Sequence, residues 1–218
     1  MSTAADRLHR IQAEIASAAK LSGRDPGVVT LIAVSKTRTA EEIAALIAAG
    51  QRDFGESRVQ EALAKWPPLI ARHPDIALHC VGRLQSNKAA EAVGSFDVIH
   101  SLDRRSLLDA LVKEAGKQGR APAVYVQVNI GEEAQKGGCA IGEVAELVEA
   151  VRASPLRLAG LMAIPPQGVE PAPFFALLAE LARRHDVAGL SMGMSADYAA
   201  AVKLGATAVR VGTALFED

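Results

Sequence analysis

The stretch LIAVSKTRTAEEI, residues 31–43, passes from one periodicity to another within a few residues. Leu31, Ile32, Ala33 and Val34 form an unbroken apolar run of strand length. Thr39 opens a segment with apolar residues at helical spacing. Lys36 sits at the joint, a long cationic side chain where a strand leaves its core. The pair predicts one β-then-α unit with a polar residue at its turn.

That unit recurs along the chain. The apolar runs are VTLIAVSK (29–36), RDFGE (52–56), ALHCVGR (77–83), DVIHSL (97–102), AVYVQVNI (123–130), RLAGLMAI (157–164), GLSMGM (189–194) and AVRVG (208–212). Helical stretches such as TAEEIAALIAAG and IGEVAELVEAVRAS lie between them. Such alternation predicts a parallel sheet with helices outside it. Eight is the number that closes a barrel, and 218 residues suits a bare one. The expectation is a single (β/α)8 barrel domain over residues 1–218, preceded by an extra N-terminal helix. A doubly wound open sheet is the competitor. No G-x-G-x-x-G opens a helix after the first run, which counts against a dinucleotide fold.

Composition narrows the function classes. Lys plus Arg is 24 and Asp plus Glu is 25, so the basic footprint of a nucleic-acid binder is missing. No apolar stretch reaches the roughly 18 residues of a membrane span. The N-terminal MSTAADRLHRIQAEIASAAK is charged and amphipathic, without a signal peptide's apolar centre, and predicts a cytoplasmic protein. Cys80 and Cys139 are too few and too isolated for a disulfide framework or a zinc site.

Barrel chemistry sits at the C-terminal ends of the strands. Those ends carry Ser35 and Lys36, then Gly55, Glu56 and Ser57, then Gly82 and Arg83, then Gln127 and Asn129. The later ends carry Met162, then Ser191, Gly193 and Ser195, and finally Arg210, Gly212 and Thr213. Alternation puts Ile32, Val34 and Lys36 on one face and Ala208, Arg210 and Gly212 on another. In a closed barrel the first and eighth strands are neighbours, so Lys36 and Arg210 are predicted to share the mouth. Two cations in a partly dry mouth repel unless an anion joins them or the lysine is neutral, and a neutral amine is the nucleophile of a Schiff base. SMGMSADYAAAVKLG and RVGTALF place glycine with serine or threonine before a helix, a pattern that receives phosphate. Lysine at one end and a phosphate cradle at the other describe a phosphorylated aldehyde held as an imine. Pyridoxal 5′-phosphate (PLP) fits that description.

The stretches AVSKT (33–37), FGESRVQE (54–61), HCVGRLQSNK (79–88), VQVNIGEEAQKGGC (126–139), GLMAI (160–164), LSMGMSADYAAAV (190–202) and VRVGTALF (209–216) together resemble the PLP homeostasis protein family. Its members look like the barrel domain of alanine racemase standing alone. The resemblance implies that Lys36 forms the Schiff base and that Arg210 faces the pyridine nitrogen. It also implies that Ser195, Gly212 and Thr213, with Ser191, receive the phosphate. Met162 is a further candidate neighbour of the cofactor. Ser57 stands where many relatives have the asparagine of F-G-E-N, so the shorter hydroxyl needs a water to make the same contact.

The implied function is PLP binding and supply in vitamin B6 homeostasis, with apo PLP-dependent enzymes as recipients and no added dimer domain, hence a monomer. Arginine only donates hydrogen bonds, so it meets an unprotonated pyridine nitrogen and weakens the electron sink that carbanion chemistry exploits. The expected barrel takes up all 218 residues, so no second domain is expected to deliver a tyrosine base. Tyr125 lies mid-strand and Tyr198 on a predicted helix. The alternative is a small PLP enzyme, a racemase or decarboxylase; a sugar-phosphate barrel enzyme without PLP would leave Lys36 unexplained. Simpler readings stand beside these. Arg210 would pair with Glu56, His79 would be a hydrogen-bonded core histidine, and Ser86 would cap a helix. Met162, Met192 and Met194 would fill gaps around the cofactor ring. Arg83 and Lys88 would bind a second anion or a partner at the rim.

Overall fold

A run such as TLIAV has no polar side for water, so its strand must be covered on both faces. The computed structural model, which describes residues 2–217, meets that demand with a closed barrel whose strands pair in chain order. The strands are β1 (Thr30–Val34), β2 (Asp53–Glu56), β3 (Ala77–Cys80), β4 (Val98–Leu102), β5 (Ala123–Gln127), β6 (Arg157–Met162), β7 (Leu190–Ser191) and β8 (Ala208–Val211). β8 returns to pair in parallel with β1, Ile32 opposite Arg210 and Ala33 opposite Val211. The eight-stranded expectation holds, and the open-sheet competitor is excluded by that pairing.

The helices are α1 (Ala4–Leu21), α2 (Ala40–Ala48), α3 (Val59–Lys65), α4 (Pro67–Arg72), α5 (Ala89–Ser95), α6 (Arg105–Gln118), α7 (Val144–Arg152), α8 (Ala172–Arg184), α9 (Tyr198–Lys203) and α10 (Thr213–Phe216). α1 precedes the barrel and is closed at its start by a Thr3–Asp6 capping box. Its buried face, Leu8, Ile11, Ile15, Ala18 and Ala19, follows the helical period and packs over α9 and α10. Outside the strands the core is mainly aliphatic, with Ile43, Leu46, Val93, Leu111, Val148 and Leu178 all fully buried beside Trp66, Phe96 and Phe175. Burying each Leu or Ile contributes about 1.5–3 kcal/mol.

The barrel lumen is different. His100 of β4 lies 2.8 Å from Ser191 of β7, although β5 and β6 separate those strands around the wall. The contact therefore crosses the interior, and the strands enclose polar groups rather than a purely aliphatic plug.

The end of β1 falls short of the sequence reading. The strand stops at Val34, and Lys36 lies on the turn that follows. Ser35 makes the last sheet-like contact, its N–H donating to Gly55 O at 2.9 Å. Thr37 then adopts a φ of 64°, which a β-branched residue rarely accepts. α2 begins behind it with a second capping box, Thr39 with Glu42. β7 is likewise short, because the chain turns at Gly193, with a φ of 90°.

Candidate functional site

A cavity of about 460 Å³ opens at the C-terminal end of the barrel. Lys36, Ser57, Ser195, Arg210, Gly212 and Thr213 all line it, so β1, β2, β7 and β8 or their following turns contribute to one site. Two expected cofactor neighbours do not reach the cavity wall. Met162 and Ser191 are fully buried and absent from the lining. Ser191 is on β7 itself, below the turn, where its hydroxyl meets Arg210 and His100; Ser195, four residues on, is the serine that reaches the mouth. Lys36 is exposed, so the mouth is open to water rather than partly dry.

The turn carrying Lys36 is held from α3. Lys65 donates to Ser35 O at 2.8 Å and to Arg38 O at 3.4 Å, bracketing Lys36 and Thr37. Glu61, one helical turn earlier, accepts from the Thr37 N–H at 2.6 Å and from Lys65 at 3.2 Å. Lys65 also pairs with Glu56 at 2.7 Å. Glu56 is fully buried at the end of β2 and accepts further from Ser35 Oγ at 2.8 Å and Trp66 Nε1 at 2.9 Å. These bonds fix the backbone around a left-handed, strained residue, and such strain persists only where the surroundings over-determine it.

Arg210 is 4% exposed and points from β8 into the lumen. One nitrogen donates to Ser191 Oγ and another to Ala163 O at 3.1 Å. Burial pulls its pKa down to about 10. Its suggested pairing with Glu56 does not occur, because Glu56 is committed to Lys65, Trp66 and Ser35. Among the described residues no carboxylate lies within ion-pair distance of Arg210. The backbone beneath is set by Gly193, whose carbonyl accepts from the Arg210 N–H at 3.0 Å. A Cβ there would lie 2.5 Å from Ala201 Cβ, so only glycine lets this turn sit on α9.

The cavity lining includes three cationic side chains, Lys36, Arg38 and Arg210, and no carboxylate. Arg38 is already paired with Glu42 and Glu217 and lies over the Phe216 ring. Lys36 and Arg210 thus leave an anion-seeking mouth, with hydroxyls on Ser57, Ser195 and Thr213. Neither tyrosine enters it. Tyr125 stacks on His100 with ring centroids 4.4 Å apart, and Tyr198 hydrogen-bonds Glu14 of α1. His79 is buried and bonded to Asp53 and His100. Ser86 does not cap a helix; it accepts from Arg104 at 3.1 Å. Lys88 is paired with Glu91, and neither it nor Arg83 lines the mouth.

The family model for the alanine racemase N-terminal domain matches residues 7–218. The chain belongs to that family. It is 45% identical over 225 residues to the pyridoxal phosphate homeostasis protein of Pseudomonas aeruginosa, covering 99% of this chain and 96% of that one. A structure of PipY from Synechococcus elongatus with PLP bound superimposes with a TM-score of 0.80 at 42% identity, covering 93% of this chain and 99% of PipY. A protein from Bifidobacterium adolescentis gives a TM-score of 0.92 at 32% identity over 98% of this chain and 94% of its own.

Proposed function

We propose that this chain holds PLP in the barrel mouth, with Lys36 as its covalent anchor, and serves in intracellular PLP homeostasis. The observation that carries the reading is the donor set of the mouth. It brings together a primary amine, a buried guanidinium and a cluster of serine, glycine and threonine, with no carboxylate among them. A phosphorylated aldehyde matches each part. Its volume of about 460 Å³ lies within the ~300–1,000 Å³ common for small-ligand sites. The relatives named for PLP homeostasis, and PipY with PLP bound, support the same reading.

In this proposal Lys36 supplies the amine, and Arg210 donates toward the ring nitrogen. Ser195, Gly212 and Thr213 receive the phosphate, and Ser57 contributes a hydroxyl at the rim. PLP when bound supplies an electrophilic carbonyl and a conjugated ring that stabilises negative charge. Arg210 tempers the second property, because a donor-only guanidinium favours an unprotonated ring nitrogen. With neither tyrosine in the mouth, the site suits retention and release better than turnover. The chain then acts as one PLP-binding barrel domain, a monomeric cytoplasmic carrier with apo PLP-dependent enzymes as recipients.

PLP added to the protein is expected to give an absorbance band near ~420 nm that Lys36→Ala abolishes. A protein that stays colourless refutes binding. Transfer to an apo-enzyme faster than free release is expected for a carrier, and sustained racemisation of an amino acid overturns the non-catalytic reading.

A further inference from the structure

Four hydrogen bonds run in series through the barrel lumen. Arg210 bonds Ser191 Oγ. Ser191 Oγ lies 2.8 Å from His100 Nδ1, His100 Nε2 lies 3.0 Å from His79 Nδ1, and His79 Nε2 lies 3.1 Å from Asp53 Oδ1. Arg210 lines the mouth cavity. Asp53, at the opposite end of the barrel, lines a separate cavity of about 370 Å³ with Gln12, Gln51 and Arg52.

With both histidines neutral, the two ends fix every proton between them. Guanidinium only donates, so Ser191 Oγ accepts from Arg210; carboxylate only accepts, so His79 Nε2 carries hydrogen. A neutral His79 then has a bare Nδ1, which requires His100 to donate from Nε2. His100 Nδ1 is left bare and accepts the Ser191 O–H. With both rings neutral, no other set satisfies all four bonds, and every donation runs from Arg210 toward Asp53. Burial, with the nearby Arg210 guanidinium, pulls the His100 pKa well down, which favours its neutral ring. Tyr125 stacks on that ring and fixes its plane.

We propose that Asp53, His79, His100 and Ser191 are positioning residues that act through Arg210. They form a polarised relay that links the buried guanidinium to a carboxylate at the far face and so governs how firmly the mouth holds an anionic ligand. The retention part rests on the proposed PLP function; the relay itself does not.

Two measurements separate them. In the ligand-free protein, 15N NMR of the histidine rings is expected to show both neutral, with Nε2 protonated and Nδ1 bare. An Nδ1–H tautomer or a doubly protonated ring at neutral pH overturns the relay, whether or not PLP binds. Ser191→Ala is expected to lower the Nε2–H population at His100 and, through it, at His79. An unchanged His79 spectrum means the bonds are not coupled and overturns the proposal.

Asp53→Asn keeps an acceptor for His79 but removes the charge, at a residue that does not line the mouth. It is expected to speed PLP release at least ~5-fold and to weaken inorganic phosphate binding by a similar factor, with Asp53→Glu restoring both. Equal release and phosphate affinity in Asp53→Asn and wild type overturn the coupling to the mouth. If wild type binds phosphate but no PLP, the functional reading fails and the phosphate arm still decides the relay.

Discussion

Lys65 is the residue on which the Lys36 turn depends, and replacing it tests that dependence. Lys65→Met keeps most of the stem and removes the ammonium. Four contacts go with it: Ser35 O, Arg38 O, Glu56 and Glu61. The costly loss is at Glu56, fully buried and left without its cation. Removing one partner of a buried pair costs about 3–5 kcal/mol. The lower end applies, because Ser35 Oγ and Trp66 Nε1 still donate to the carboxylate. For a chain of this size ~3 kcal/mol corresponds to a fall in Tm of about 6–12 °C. Adding Glu56→Gln removes the stranded charge, and the double variant is expected to recover about 1–2 kcal/mol relative to Lys65→Met. The assay is a double-mutant cycle by thermal and urea denaturation, with PLP loading measured on each folded variant. Loading is expected to stay impaired in the double variant, because the carbonyls on either side of Lys36 remain untethered. A loss under ~1 kcal/mol for Lys65→Met, or an equal loss with and without Glu56→Gln, refutes the account.

Two further outcomes follow from local geometry. Gly193→Ala forces a side chain onto a φ of 90° and into Ala201; it is expected to cost about 2–4 kcal/mol by urea denaturation and to loosen PLP retention, and a neutral result contradicts the close approach to α9. Burial pushes the Cys80 and Cys139 thiols up to about 12 from 9.0. At pH 8 only ~1 in 10,000 of each is thiolate, so native protein is expected to resist alkylation while unfolded protein reacts promptly. The neutral thiol is the form the fold favours, so its stabilisation is complete below pH 9. It is lost as pH rises toward 12, at up to ~1.4 kcal/mol per pH unit per thiol. Rapid native labelling at pH 8 contradicts this burial.

Much of the site was legible in the sequence because alternation and strand closure are short arguments. Two-residue periodicity aimed Arg210 inward, and the count of eight runs made its strand the neighbour of the one that ends just before Lys36. What escaped notice depends on contacts across the chain. Ser191 and Ser195 look equivalent beside Gly193, yet only the fold shows one on the strand beneath the other. Glu61 and Lys65 stand one helical turn apart, which marks a shared face, but not that this face grips the β1 turn. His79 reads from the sequence as a hydrogen-bonded core histidine, but its partner His100 was the plainest unused signal. Each interrupts an apolar strand, and β3 and β4 are adjacent, so their meeting in the lumen was within reach of the pattern.

The pairing of β8 with β1 has a consequence for how the protein comes into being. Lys36 and Arg210 are separated by roughly 170 residues, and at ~5–20 residues per second the ribosome makes one many seconds before the other. Throughout that interval Thr30–Val34 has an unpaired edge, as apolar as any in the chain and open to wrong partners. The same last strand seals the edge and completes the mouth. On the proposed function, capture of the ligand is a report that synthesis has reached the end of β8, and a nascent chain arrested before Ala208 has no means of giving it.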